Sequence, residues 1–241
     1  MKKQYVAVLD SGIGGLTTLY ELVKTLPNEN FLYYGDNYNA PYGNRVKGDL
    51  ISLLKNSLDK VLQFDLKCIV VACNTLSVSA LEYVRNYSPI ETFGIYPPVE
   101  KAIISGEKTL LLATAKTAKN YKSNNLFLSF GLVNLAKDIE DNIFNLERIN
   151  VQNHLKPLGQ INEINTLILG CTHYNFIKNE IINHLKPQLT ICGNKYLLKN
   201  VENFIKSQKH KEKSSENEIL FIGDNADFNK KVYFHYAKNV K

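Results

Sequence analysis

The chain has 241 residues, 44% of them hydrophobic and 22% charged, a globular composition with enough length for one large domain or two small lobes, which excludes disorder as its main state. No apolar run approaches the roughly 18 residues that a membrane-spanning helix needs, and the start MKKQYVAVLDSG passes directly into a strand-like segment, so no membrane contact, no export and a cytoplasmic location are expected. The net charge of +6 rests almost wholly on lysine, since only Arg45, Arg85 and Arg148 are arginine; the bidentate fork that reads phosphate and guanine is nearly absent, and no nucleic-acid partner is expected.

Short apolar runs alternate with amphipathic stretches, the pattern of an α/β chain with mainly parallel sheet and helices on its faces. The predicted strands are Tyr5–Leu9, Phe31–Tyr34, Cys68–Ala72, Thr92–Ile95, Thr109–Ala113, Thr166–Leu169, Leu189–Cys192 and Ile219–Ile222. Between the first two, Leu16, Leu19, Tyr20, Val23 and Leu26 recur at helical spacing and Pro27 stops the helix. A second helix follows from Val46, Leu50, Leu53, Leu54, Ser57, Val61 and Leu62. The polar stretch 207–218 reads as a connection to a last strand and a last helix over 226–238. The expected division is a first lobe of residues 1–92 plus 212–241 and a second of 93–211.

The first strand runs into DSGIGG (10–15), where glycines let the backbone approach a ligand and a helix N-terminus offers N–H groups to an anion. Gly12 and Gly14 begin a GxGxxG pattern, and Asp36 ends the second strand where a ribose-binding acid belongs; the third glycine position is Thr17, however, so a nicotinamide-dependent oxidoreductase is the weaker reading. APYG (40–43) is a turn in which Tyr42 and Gly43 offer a phenol and a backbone N–H.

Four cysteines occur, with no CxxC pair and no zinc spacing, so no metal is expected. Cys68 and Cys192 read as small core residues. Cys73, in VVACNT with Asn74 and Thr75, and Cys171, in LILGCTH with Thr172 and His173, both follow apolar strands. The carboxyl ends of parallel strands form the ligand crevice, so this echo places two thiols at one pocket. Such a pair suits proton transfer, one thiolate removing a proton while the opposite thiol donates one, with no cofactor required. His173 and Asp10 are the candidates for adjusting thiol protonation.

DSGIGG, YYGD with APYG, VVACNT and LILGCTHY, in this order and at these intervals, closely resemble the glutamate racemases of the aspartate/glutamate racemase superfamily, from about residue 5 to 236. The resemblance implies two pseudo-symmetric α/β lobes with the active site between them, a homodimer, and cofactor-independent interconversion of L- and D-glutamate that supplies D-glutamate for peptidoglycan. It implies Cys73 and Cys171 as the acid/base pair, with Cys73 taking the proton from the D-enantiomer and Cys171 from the L-enantiomer. Asp10, Ser11, Tyr42, Gly43, Asn74, Thr75, Thr172 and His173 match its substrate-binding positions. A supporting glutamate falls on Glu140, with Asp138 and Asp141 as alternatives, because the stretch 120–165 is short and matches poorly. The same chemistry on aspartate, and a non-catalytic amino-acid-binding regulator, are the other functions considered.

Overall fold

The computed structural model describes residues 3–103, 106–159, 161, 163–208 and 217–240. The first lobe's elements are β1 (Tyr5–Asp10), α1 (Gly15–Thr25), β2 (Asn30–Gly35), α2 (Lys47–Val61), β3 (Leu66–Val71), α3 (Asn74–Tyr87) and β4 (Thr92–Gly94). Then come α4 (Val99–Ile103), β5 (Thr109–Thr114), α5 (Ala115–Ala118), β6 (Phe127–Leu132), α6 (Leu135–Asp141) and α7 (Val151–Leu155). The chain continues through β7 (Thr166–Gly170), α8 (Lys178–Leu185), β8 (Leu189–Cys192), α9 (Asn194–Ser207), β9 (Ile219–Ile222) and α10 (Ala226–Asn239).

Two wholly parallel sheets result, one in the order β4-β3-β1-β2-β9 and the other β6-β5-β7-β8. Strands covered on both faces must be apolar throughout rather than alternating, and every residue of β1, β5 and β7 is buried. β9 returns late in the chain to pair with β2, so the first lobe is closed by its last strand and helix. β4 straddles the expected division at 92–93 and pairs with β3 in the first sheet. The second division, at 211–212, and most of the polar stretch 207–218 lie outside the described residues. Among the described residues no helix is long and apolar enough to cross a membrane.

The unpredicted strand is β6, an edge strand whose FLSFGL sequence is interrupted by Ser129 and Gly131. It is half-exposed along most of its length, so its apolar signal is diluted in the way an edge strand allows.

α1 ties the lobes together. Its buried Leu16, Leu19 and Leu22 recur at helical spacing, and the helix packs on α10 and α9 and on the 3-10 turn 172–177 of the second lobe. One apolar cluster therefore runs from Val6, Val8 and Val70 of the first sheet through α1 to Leu110, Leu112, Leu167 and Leu169 of the second. Leu19→Ala in this cluster should cost about 2–5 kcal/mol of stability, measured as a lower urea midpoint; an unchanged midpoint would show that α1 does not weld the two lobes.

Candidate active site

In each sheet the chain leaves a first strand toward one neighbour and later returns on its other side, at β1/β3 and at β5/β7. Such a reversal of strand order opens a crevice at the carboxyl ends. Asp10 closes β1 and Cys73 precedes α3; Thr114 closes β5 and Cys171 follows β7. The two crevices meet in one cavity of about 10 Å³, lined by Ser11, Tyr42, Gly43, Cys73, Asn74, Thr75, Cys171, Thr172 and His173, all anticipated, together with Pro41, Thr114 and Ala136. Asp10 and Glu140 sit behind this lining. A far larger open cleft, bordered by Phe144, Lys178, Cys192, Lys199 and Tyr236, contains neither lining thiol.

Both lining thiols are buried but their partners differ. The Cys73 Sγ lies 3.5 Å from the Ser11 Oγ, donating to it. Burial, with the Asp10 charge added, pushes this thiol up to about 12. The Cys171 Sγ lies 3.7 Å from His173 Nδ1, and His173 Nε2 lies 2.6 Å from Glu140 Oε1. Burial alone would favour a neutral imidazole, but the hydrogen bonds to Cys171 and Glu140 override it and hold the imidazolium well above its ordinary range.

Glu140 Oε1 also accepts from the Ile13 N–H at 2.8 Å, and Oε2 lies 3.5 Å from Asn37 Nδ2. The alternatives point elsewhere: Asp138 pairs with His154 at 2.8 Å and Asp141 with Lys137 at 2.7 Å. Of the three acids, Glu140 is the one that reaches His173.

The DSGIGG loop is organised by Asp10, whose Oδ2 accepts from Gly15 N–H at 2.9 Å and Gly12 N–H at 3.2 Å. A Cβ at Gly12 would fall 1.9 Å from Glu140 Oε1, and one at Gly14 2.5 Å from His173 Nδ1. The second lobe's side chains thus fill the space that a dinucleotide's pyrophosphate would need. Asp36 is likewise engaged, accepting from the Tyr42 hydroxyl and from Asn39 at 3.0 Å, which anchors the APYG turn over Cys73. These contacts remove the basis of the nicotinamide reading. Among the described residues no group of three or more His, Cys, Asp or Glu is placed to hold a metal ion.

Thr114 and Thr117 were not anticipated. The Thr75 Oγ1 lies 2.9 Å from that of Thr114 and 3.3 Å from that of Thr117, a hydroxyl cluster crossing between the lobes. Thr114 ends β5 as Asp10 ends β1, so extending the strand-end echo from the cysteines to the first strand of each sheet would have found it.

The chain is 37% identical to the glutamate racemase of Clostridium acetobutylicum over 198 residues, 75% of this chain and 76% of that protein. It belongs to the glutamate racemase family. The glutamate racemase of Clostridium novyi is 36% identical over 78% of each chain. The solved structure of glutamate racemase RacE1 from Bacillus anthracis superposes over 99% of this chain and 94% of its own with a TM-score of 0.77 at 26% identity. No family model matches the chain.

The buried carboxyl of Asp10, at the end of β1, yields a testable consequence. Burial raises its carboxyl from 3.8 to about 6, so the stability it contributes is complete below about pH 4 and is lost as pH rises through 6. The loss amounts to about 3 kcal/mol, at about 1.4 kcal/mol per unit. Asp10→Asn keeps an oxygen acceptor without the charge; thermal melts should show the variant gaining on the parent between pH 4 and 6. A constant gap across that range would remove the buried charge as the cause.

Proposed function

We propose that this glutamate racemase, an isomerase, works through two thiols, Cys73 and Cys171, on opposite faces of glutamate and without a cofactor. The observation that carries this reading is the shared cavity: the two strand-end thiols line it together, one hydrogen-bonded to a histidine that a carboxylate holds and one to a serine.

From L-glutamate, the Cys171 thiolate takes the α-proton while the Cys73 S–H delivers its proton to the opposite face. The product is D-glutamate with Cys171 protonated and Cys73 as thiolate, and the reverse sequence runs from the D-enantiomer. The partners support this starting state. The His173 imidazolium, held by Glu140, lies beside the Cys171 sulfur, while burial favours a protonated Cys73.

Deprotonating carbon beside a carboxylate throws negative charge onto that carboxylate. Asn74 and Thr75 at the start of α3, and Thr172 and His173 at the start of the 3-10 turn, supply donors where the charge develops. Among the described residues three buried side-chain oxygens have no protein partner, those of Asp10 (Oδ1), Asn74 and Asn229; in this reading the Asn74 oxygen accepts from the substrate's ammonium. The small cavity keeps bulk water from the carbanion-like state. We further propose that the D-glutamate formed supplies peptidoglycan and that the enzyme acts in the cytoplasm, where its four free cysteines stay reduced.

Cys73→Ala and Cys171→Ala should each abolish racemisation, the loss of a positioned acid or base alone being worth about 10²- to 10⁴-fold; full turnover in either variant defeats the two-thiol reading. In deuterated water the product should carry deuterium at the α-carbon. Optical rotation, followed without added cofactor, should change with L-glutamate and not with L-aspartate, which is shorter by about one methylene; a change with aspartate alone would transfer the activity to that substrate.

A further inference from the structure

The peptide joining Gly12 to Ile13 is held at both ends. Its N–H donates to Glu140 Oε1 at 2.8 Å, and its carbonyl accepts from the Tyr33 hydroxyl at 2.6 Å. Tyr33 lies on β2 with its ring fully buried beside Phe221, centroids 6.1 Å apart. Phenylalanine would fill that apolar space equally well, so packing does not account for the hydroxyl. The socket is specific, since a Cβ at Gly35 would sit 2.4 Å from the Gly12 carbonyl oxygen. Burial keeps the phenol protonated and therefore a donor.

We propose that Tyr33 is a positioning residue for racemisation: its hydroxyl fixes and polarises the Gly12–Ile13 peptide, which holds Glu140, which in turn holds His173 against Cys171. The proposal rests on the two-thiol reading and adds to it a residue that touches neither thiol. Hydrogen bonds in series strengthen one another, so a donor on the peptide oxygen makes the Ile13 N–H a better donor to Glu140. The chain then runs from the centre of the first sheet to the thiol of the second lobe. Cys73 is hydrogen-bonded to Ser11 instead, so the hydrogen-bonded chain that starts at Tyr33 ends at Cys171.

The test is Tyr33→Phe in the full chain, introduced beside Cys73→Ala and separately beside Cys171→Ala, with alkylation of the remaining site thiol by iodoacetamide followed at pH 7 by peptide mass spectrometry. Because the thiolate is the nucleophile, Cys171, once its hydrogen-bonded support is loosened, should be alkylated at least about threefold more slowly. Cys73 should be alkylated at its former rate. Equal slowing of both thiols, or an unchanged Cys171 rate, overturns the proposal, since a merely structural hydroxyl would not separate them. Should the phenylalanine variant fail to fold, 3-fluorotyrosine at position 33 decides: its stronger donation draws charge from Glu140 Oε1, which Ile13 and His173 share, so Cys171 should be alkylated more slowly with Cys73 unchanged, and an unchanged or faster Cys171 rate overturns the proposal. Full racemisation by either single-cysteine variant would instead refute the underlying two-thiol reading, whatever the alkylation rates.

Discussion

A carboxylate held largely out of water where two lobes meet must be surrounded by donors, and Glu140 draws its donors from both. Ile13 and Asn37 come from the first lobe, His173 from the second. Leaving such a group unpaired in a dry interior would cost several kcal/mol, so satisfying it holds the loop after β1 against the turn after β7. The glycines of the DSGIGG loop are explained by this contact. Gly12 and Gly14 leave the room that Glu140 and His173 occupy. The threonine cluster of Thr75, Thr114 and Thr117 makes another crossing, and Thr75 and Thr114 line the same cavity as the two thiols.

The two sheets share a strand order, yet the residues at equivalent strand ends differ. β1 ends in an acid and β5 in threonine. Cys171 has a histidine beside it, whereas Cys73 has a serine. A repeated scaffold thus gives two chemically similar thiols unequal surroundings.

Most of this organisation was legible in the residues because buried parallel strands write themselves as apolar runs. The ends of β3 and β7, where small polar residues follow each cysteine, were legible for the same reason. β6 was not, because an edge strand with Ser129 and Gly131 in its middle has no continuous apolar run. Glu140 could be placed only among neighbours, since Asp138, Glu140 and Asp141 all lie on α6 and only its packing decides which carboxylate turns inward. Thr114 escaped because a threonine at a strand end carries no chemical signal of its own. Tyr33 sits in a β2 whose apolar pattern reads as core, and a hydroxyl at its ring edge leaves that pattern unchanged.

The cavity between the thiols holds no more than about one water. Glutamate therefore cannot diffuse into the arrangement in which it would react; the facing strand ends have to separate and then close over it. Hydrogen bonds that cross between the lobes include Ile13 with Glu140, Thr75 with Thr114, Thr18 with Asn194 and Asn175 with Thr17. Admitting a substrate of glutamate's size therefore means parting some of these hydrogen bonds, and tightening them to perfect the closed geometry would slow product release. Catalytic order and product escape draw on the same few contacts, which places an upper bound on how rigid this interface can become.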